Sequence, residues 1–348
     1  MAVANKKKKT FLENVVEIIV LLSIVFLIRT WGFGLYQVPT GSMETTMLVG
    51  ERFFADKLSY VFRDPAAGEV IAFNEPPAFF KYSKNPFWYQ IEKYVYGPSN
   101  WTKRVIGTPG DTVQGVIEDG KPVIYVNNKK LYEPYLNKYP LINVFRDDPR
   151  VLEQKINAEF APLLWRGVDQ EAVRNMKNDT LYSYASPKSY DPNKPYDKQS
   201  FYRINPARIL RNSDQSIHMI MPGTAEPSEH RHDQKNGNYW GNGSDEFFVK
   251  LKPDEYWVMG DNRKGSKDSR VFGPIKRDLI HGHILFRIWS MDSDEAWWIW
   301  DLIRHPIDFW TRVRWCRFFD WIYTIRQFEP AQHTPSPASE PVAAANSN

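Results

Sequence analysis

Cysteine is nearly absent from this chain of 348 residues, and no histidine precedes His218. The lone Cys316 excludes an internal disulfide and any cysteine-based zinc site, and says little about redox compartment. An excess of one charge sign is also lacking: a net charge of +4 is too weak to argue for nucleic acid. The scarcity of histidine bears on chemistry. A serine hydroxyl is a poor nucleophile near neutrality unless a base takes its proton, and that base is usually histidine. For a serine early in this chain, a lysine comes into consideration.

Aromatic residues are plentiful. Thirteen tryptophans exceed what a soluble core needs, and many lie near the C-terminus, which points to a membrane surface because indole favours the interface. The length predicts one compact domain with an insertion, or two lobes. Lys6 to Lys9 form a basic cluster, and from Val15 a mostly apolar run continues past Arg29 to Tyr36. Read as a helix, Val15 to Tyr36 is long enough to cross about 30 Å of hydrocarbon. The lysines then place the N-terminus in the cytoplasm and the rest outside. A cleavable secretory signal looks much the same, but Gly32-Phe33-Gly34 is a poor cleavage site, so a retained anchor is the expectation.

Beyond it, Phe53 to Leu58 and Glu69 to Phe73 read as short strands around a turn-rich stretch. The aromatic run from Pro76 to Pro98 reads either as a packed hairpin or as a loop with Phe79, Phe80, Phe87 and Trp88 at a bilayer surface. From about Val113 to Lys250 the chain is polar, with short strands at Val123 to Val126 and His218 to Met221, and predicts a β-rich accessory lobe. His230-Arg231-His232 lacks the further ligands that zinc requires. Strand character returns at Glu255 to Gly260 and at His283 to Trp289. Phe309 to Ile322 predicts an interfacial helix, and the tail from Pro330 predicts disorder.

Three stretches carry chemistry. Treated as a strand, Trp101 to Val105 puts Trp101, Lys103 and Val105 on one face and Thr102 and Arg104 on the other. An amine among apolar neighbours loses hydration and becomes a base near neutrality, whereas on an edge strand it is an ordinary surface lysine. Pro39-Thr40-Gly41-Ser42 puts a hydroxyl after glycine in a turn, where the Ser42 N–H and the Thr40 hydroxyl could both meet a developing oxyanion. Gly260 to Gly273 is a dense polar run after an apolar strand. It reads as a solvated loop, or as an Asp268/Arg270 ion pair with the Ser266 and Ser269 hydroxyls holding a buried amine.

Together these stretches resemble the boxes of bacterial type I signal peptidases, the membrane-anchored leader peptidases. The family's Pro-Ser-Gly-Ser-Met-x-Pro-Thr-Leu appears as Pro39 to Met47, with Thr40 for the first serine and Thr45 for the proline. Lys-Arg-x-x-Gly-x-Pro-Gly-Asp matches fully from Lys103 to Asp111, and Gly-Asp-Asn-Arg-x-Asn-Ser-x-Asp-Ser-Arg matches from Gly260 to Arg270 except at Gly265.

The resemblance implies a mainly β, barrel-like core from residues 37–112 and 251–295. An accessory lobe, 113–250, would be inserted in it, a basic segment, 1–14, and an anchor, 15–36, would precede it, and 296–329 and 330–348 would follow. It implies Ser42 as nucleophile, Lys103 as general base, Thr40 and Ser42 at the oxyanion, and Ser266 orienting the amine with Asp268 and Arg270 as support. Val38, Met43, Met47, Trp101 and Thr102 would line small substrate pockets. No cofactor is implied. Preproteins and the lipid bilayer are the expected partners, at the outer face of the bacterial plasma membrane. A cytosolic self-cleaving repressor would carry no such anchor, and an inactive scaffold would have no reason to keep Ser42, Lys103 and Ser266.

Overall fold

The structure, a computed structural model, describes residues 10–27, 32–77, 79, 85–91, 99–145, 147–212, 214–220, 231–233, 237–293 and 298–329. Strands β1 (Phe33–Gln37), β2 (Arg52–Asp56), β3 (Val70–Asn74) and β4 (Asn100–Gly107) come first. They are followed by β5 (Thr112–Glu118), β6 (Lys121–Val126), β7 (Lys129–Tyr132), β8 (Leu141–Phe145) and β9 (Ala185–Ser189). Short strands β10 (Met219–Ile220), β11 (Arg231–Asp233), β12 (Asn238–Trp240) and β13 (Phe247–Lys250) lead to β14 (Glu255–Met259), β15 (Ile275–Lys276), β16 (Ile280–Trp289) and β17 (Gln327–Phe328).

One antiparallel sheet runs β1-β2-β16-β3-β4-β14-β15, a second β11-β12-β13-β5-β6-β7-β17, and a small third β10-β8-β9. Alternation explains the packing: in β2, Phe53 and Ala55 are buried while their neighbours are only half-buried, as period two requires. Phe53 and Ala55 join Val38, Met43, Met47, Val70, Ala72 and Ile284 in one core cluster. A second cluster ties the two large sheets together, with Ile106, Trp257 and Met259 from the first against Val113, Ile124, Phe247 and Val249 from the second. Each such side chain contributes roughly 1.5–3 kcal/mol through burial.

The mainly β architecture agrees with the sequence reading. The expected membrane helix over 15–36 does not form. The helix is Phe11–Leu27, of 17 residues, and Phe33 to Gln37 instead pair with β2, Phe33 opposite Asp56 and Gln37 opposite Arg52. Ladder hydrogen bonds along an extended Gly34-Leu35-Tyr36 satisfy the backbone there, so the apolar run splits between a helix and a strand. Among the described residues no helix is long and apolar enough to cross a membrane.

The polar stretch read as a β-rich lobe carries strands β5 to β13 and, in addition, two helices that the sequence reading did not anticipate, Pro149–Trp165 and Gln170–Ser183. The first opens on Asp148, whose side chain accepts from the Arg150 N–H at 2.9 Å, with Pro149 in the first turn. Its buried face is no more than Leu152 and Ile156, four apart, which a search for apolar runs passes over.

The long helix expected over 309–322 is also not there. Short helices Trp298–Arg304 and Pro306–Arg312 are followed by a 3-10 turn, Trp315–Arg317, and irregular chain, with Val313 and Ile322 packed inward. The arginines are held inside rather than spread over a lipid face: Arg312 on Asp301 (2.5 Å), Arg314 on Asp292 (3.3 Å) and Arg317 on Glu51 (2.7 Å).

Between Pro76 and Pro98 the described residues show a short helix, Pro86–Ile91, in place of a hairpin. Phe79 stacks on Trp101 at 5.8 Å, whereas Phe87 and Trp88 are 67% and 51% exposed. Phe80, His230, residues 1–9 and the tail from Pro330 lie outside the described residues, and His232 falls on β11.

Candidate active site

Ser42 sits in a single 3-10 turn, Gly41–Met43, after the extended Thr40 (φ −134°, ψ 154°). Met43 and Met47, each almost wholly buried, draw this turn into the core beneath β1 and β2. Backbone bonds from Val38 N–H to Glu51 O (2.9 Å) and from Gly50 N–H to Val38 O (3.0 Å) close the loop that carries it. The hydroxyl is thus presented by packing on both sides of the turn, and Ser42 is only 8% exposed.

Lys103 lies on β4 opposite Ile71 of β3, and the alternation read from the sequence holds. Its Nζ donates to Ser42 Oγ at 2.8 Å and to Thr102 O at 3.0 Å, 5.9 Å from the Trp101 ring centre. Burial pushes the amine down from 10.5 to about 8, against the opposing pull of Asp268 and Asp261. Near neutrality, a neutral amine on a hydroxyl can accept its proton.

The strip after β14 holds the turn from the other side. Asn262 donates its backbone N–H to Ser42 O (3.1 Å) and its side-chain amide to Gly41 O (2.9 Å). Position 260 must be glycine, since a Cβ there would lie 2.4 Å from Ser42 O and 2.3 Å from Ser266 Oγ. Asp268 accepts from Gly260 N–H (3.1 Å) and takes Arg270 in a two-point pair, both contacts at 2.9 Å. Burial raises the Asp268 carboxyl, but the charge and hydrogen bonds of Arg270, with the Gly260 N–H and the Ser266 hydroxyl, together outweigh it and hold the group below its ordinary range.

Ser266 Oγ is buried, near enough to Asp268 to help hold it ionised, and has no well-formed hydrogen bond among the described residues. The expected bond from Ser266 to the lysine amine is therefore not made.

A cleft of 730 Å³ opens over the Ser42–Lys103 contact. All five expected pocket residues, Val38, Met43, Met47, Trp101 and Thr102, line it, together with the exposed Thr40. Asp268 and Arg270 lie behind it as a buried support. Tyr36 and Lys267 also border the cleft and were not singled out from sequence. Among the described residues no three His, Cys, Asp or Glu side chains gather as metal ligands.

The sequence reading gave no weight to Asp261. It receives Arg104 through two bonds, at 2.8 and 2.7 Å, and accepts from Thr46 Oγ1 at 2.6 Å. Its signal was present, as the acid of one box and the arginine of another, but only the fold pairs them.

The chain resembles known proteins along most of its length. "Signal peptidase I" of Buchnera aphidicola subsp. Acyrthosiphon pisum is 25% identical, over 84% of this chain and 80% of that one. "Signal peptidase I" of Aquifex aeolicus is 25% identical, over 78% and 81%. A solved signal peptidase I from Enterococcus faecalis V583 is 17% identical and covers 64% of this chain and 97% of that one, with a TM-score of 0.24, too low for its fold to be carried over. The family described as signal peptidase, peptidase S26, matches residues 11–289. With that match spanning most of its length, and the boxes around Ser42, Lys103 and Gly260 inside it, the chain belongs to the signal peptidase family, peptidase S26.

Proposed function

We propose that this chain is a serine endopeptidase that removes N-terminal signal peptides from exported preproteins, with Ser42 as nucleophile and Lys103 as general base. The observation that carries the reading is the 2.8 Å contact between a buried amine and a serine hydroxyl at the floor of an open cleft. Lys103 takes the Ser42 proton as Oγ attacks the scissile carbonyl carbon, and the oxyanion is met by the Ser42 N–H and the Thr40 hydroxyl. The ammonium then protonates the leaving amine, and the neutral amine activates the water that releases the acyl group from Ser42. Asp268 and Arg270 keep the strip that backs the turn in place.

Specificity for small-x-small sites follows from shallow apolar walls. In this proposal Val38, Met43, Met47, Trp101 and Thr102, which line the cleft, form the walls that would exclude a large side chain. A location at the outer face of the bacterial plasma membrane belongs to the same proposal. The helix Phe11–Leu27 leaves Ile18, Leu21, Leu22 and Val25 about half exposed, an apolar surface that favours lipid over water.

The test is cleavage of a preprotein bearing an Ala-x-Ala site. Ser42→Ala and Lys103→Ala should each abolish turnover while the protein stays folded, and Lys103→Arg should fail too because guanidinium stays protonated. Near-normal turnover by either alanine variant ends the Ser/Lys assignment.

A further inference from the structure

Just after Ser42 lies a fully buried acid, Glu44, that the mechanism above does not use. Its carboxylate is directed away from the cleft. One oxygen accepts from the Tyr202 hydroxyl, and the other from both the hydroxyl and the backbone N–H of Ser189, the latter at 3.1 Å. Ser189 ends β9, and Tyr202 comes from the chain that follows, so both partners belong to the segment inserted between the two halves of the large sheet. The same hydroxyl of Tyr202 also accepts from Val49 N–H at 3.1 Å.

The carboxylate folds back over Gly41. A Cβ on Gly41 would stand 2.6 Å from Glu44 Oε1, so the side chain occupies the space beside the residue preceding Ser42. Asn262 holds Gly41 O from the opposite side. Nearby, Leu48 packs wholly buried with Ile142, Val144, Tyr202, Ile204 and Ile209 of the insertion. The turn is gripped by the core strip on one side and by the insertion on the other.

We infer that Glu44 is a positioning residue: bridged to Ser189 and Tyr202, it makes the inserted lobe part of what sets the Ser42 hydroxyl on the Lys103 amine. The inference rests on the proposed Ser/Lys mechanism. A polar group this deeply buried holds its place only while all its bonds are made, which makes it a stiff link. Without it, Gly41 is free to move toward the vacated space. A displacement of 1 Å at Ser42 is enough to break a 2.8 Å contact and to cost about 100-fold in rate.

The experiment compares Glu44→Ala, Glu44→Gln, Ser189→Ala and Tyr202→Phe in the full chain. Two readouts are taken: preprotein cleavage, and titration of Lys103 followed by NMR of lysines labelled at Cε. Glu44→Ala should lower kcat by about 100-fold with KM changed less than threefold, and move the Lys103 midpoint upward toward its ordinary value as the amine regains water. Glu44→Gln should recover only part of the loss, since its oxygen can still accept from Ser189 but its amide turns a donor toward Tyr202 Oη, whose own O–H is left without an acceptor. Ser189→Ala and Tyr202→Phe should each give part of the effect, and neither should add to Glu44→Ala.

Lys103 titration does not depend on what the protein cleaves. If the unmodified chain cleaves no preprotein but Glu44→Ala still shifts Lys103, the functional reading fails and the positioning role stands. A folded Glu44→Ala protein with an unmoved Lys103 midpoint and unchanged kcat overturns it. Should Glu44→Ala not fold, an unmoved midpoint in Ser189→Ala and Tyr202→Phe overturns it equally.

Discussion

Replacing Lys103 by methionine should destroy cleavage and yet stabilise the protein near neutral pH. The amine is 5% exposed and titrates at about 8 instead of 10.5. The unfolded chain therefore binds more protons than the folded one between these two values, and wild-type stability rises with pH across that window. Below pH 8 the full penalty of burying the charge is present, about 3 kcal/mol at about 1.4 kcal/mol for each pH unit of displacement.

Methionine keeps an unbranched side chain of similar length and has nothing to titrate. Against the gain stand the lost hydrogen bonds to Ser42 Oγ and Thr102 O, roughly 1 kcal/mol each. The absolute difference at pH 7 is then about 1 kcal/mol, but its change with pH does not depend on those bonds. Urea unfolding of both proteins at pH 7 and at pH 10.5 should show the Lys103→Met advantage shrinking by about 3 kcal/mol and reversing sign. A difference that stays constant within 1 kcal/mol across the window would show that Lys103 is not displaced from its ordinary value, and the argument for a neutral base would fall with it.

Cleavage should follow the same group: kcat/KM rises about tenfold per pH unit up to about pH 8 and levels above it, and a flat profile from pH 6 to 9 would count against a lysine base. Asp268→Asn leaves the buried Arg270 with Asp245 as its remaining acid and should cost about 3–5 kcal/mol in chemical denaturation; a loss under 1 kcal/mol would mean that the pair does not hold the strip.

Local patterns carried the sequence reading where chemistry and period coincide. Two-residue alternation put Lys103 with Trp101 and turned Arg104 to the other face, and the strand does this because β3 and β14 fix its register from both sides. The run from Gly260 to Arg270 announced its ion pair because Asp268 and Arg270 are only two residues apart. The signal faded where partners are far apart in sequence. Arg104 with Asp261, Glu44 with Ser189 and Tyr202, and Arg317 with Glu51 are each separated by more than 140 residues. The apolar run to Tyr36 misled for a related reason. Hydropathy reports that residues avoid water, while pairing with β2 decides that 33–37 do so as a strand.

Lys103 and Arg104 show how neighbouring cations on one strand are given opposite fates. Arg104 is almost wholly buried, but two bonds to Asp261, from Nε and Nη2, with Gly68 O and Tyr323 O on Nη1, replace most of what water would supply. Burial alone would lower it; the Asp261 carboxylate reverses this and keeps it charged. Lys103 has a hydroxyl and a carbonyl oxygen as hydrogen-bond acceptors, while Asp268 and Asp261 act on it through space and are themselves engaged by Arg270 and Arg104. Each arginine thus spends its carboxylate before the amine can draw fully on it. At pH 7 about a tenth of such an amine is neutral, against about one in three thousand at the ordinary value. The arginine of the box keeps its acid occupied so that the lysine beside it can give up its proton.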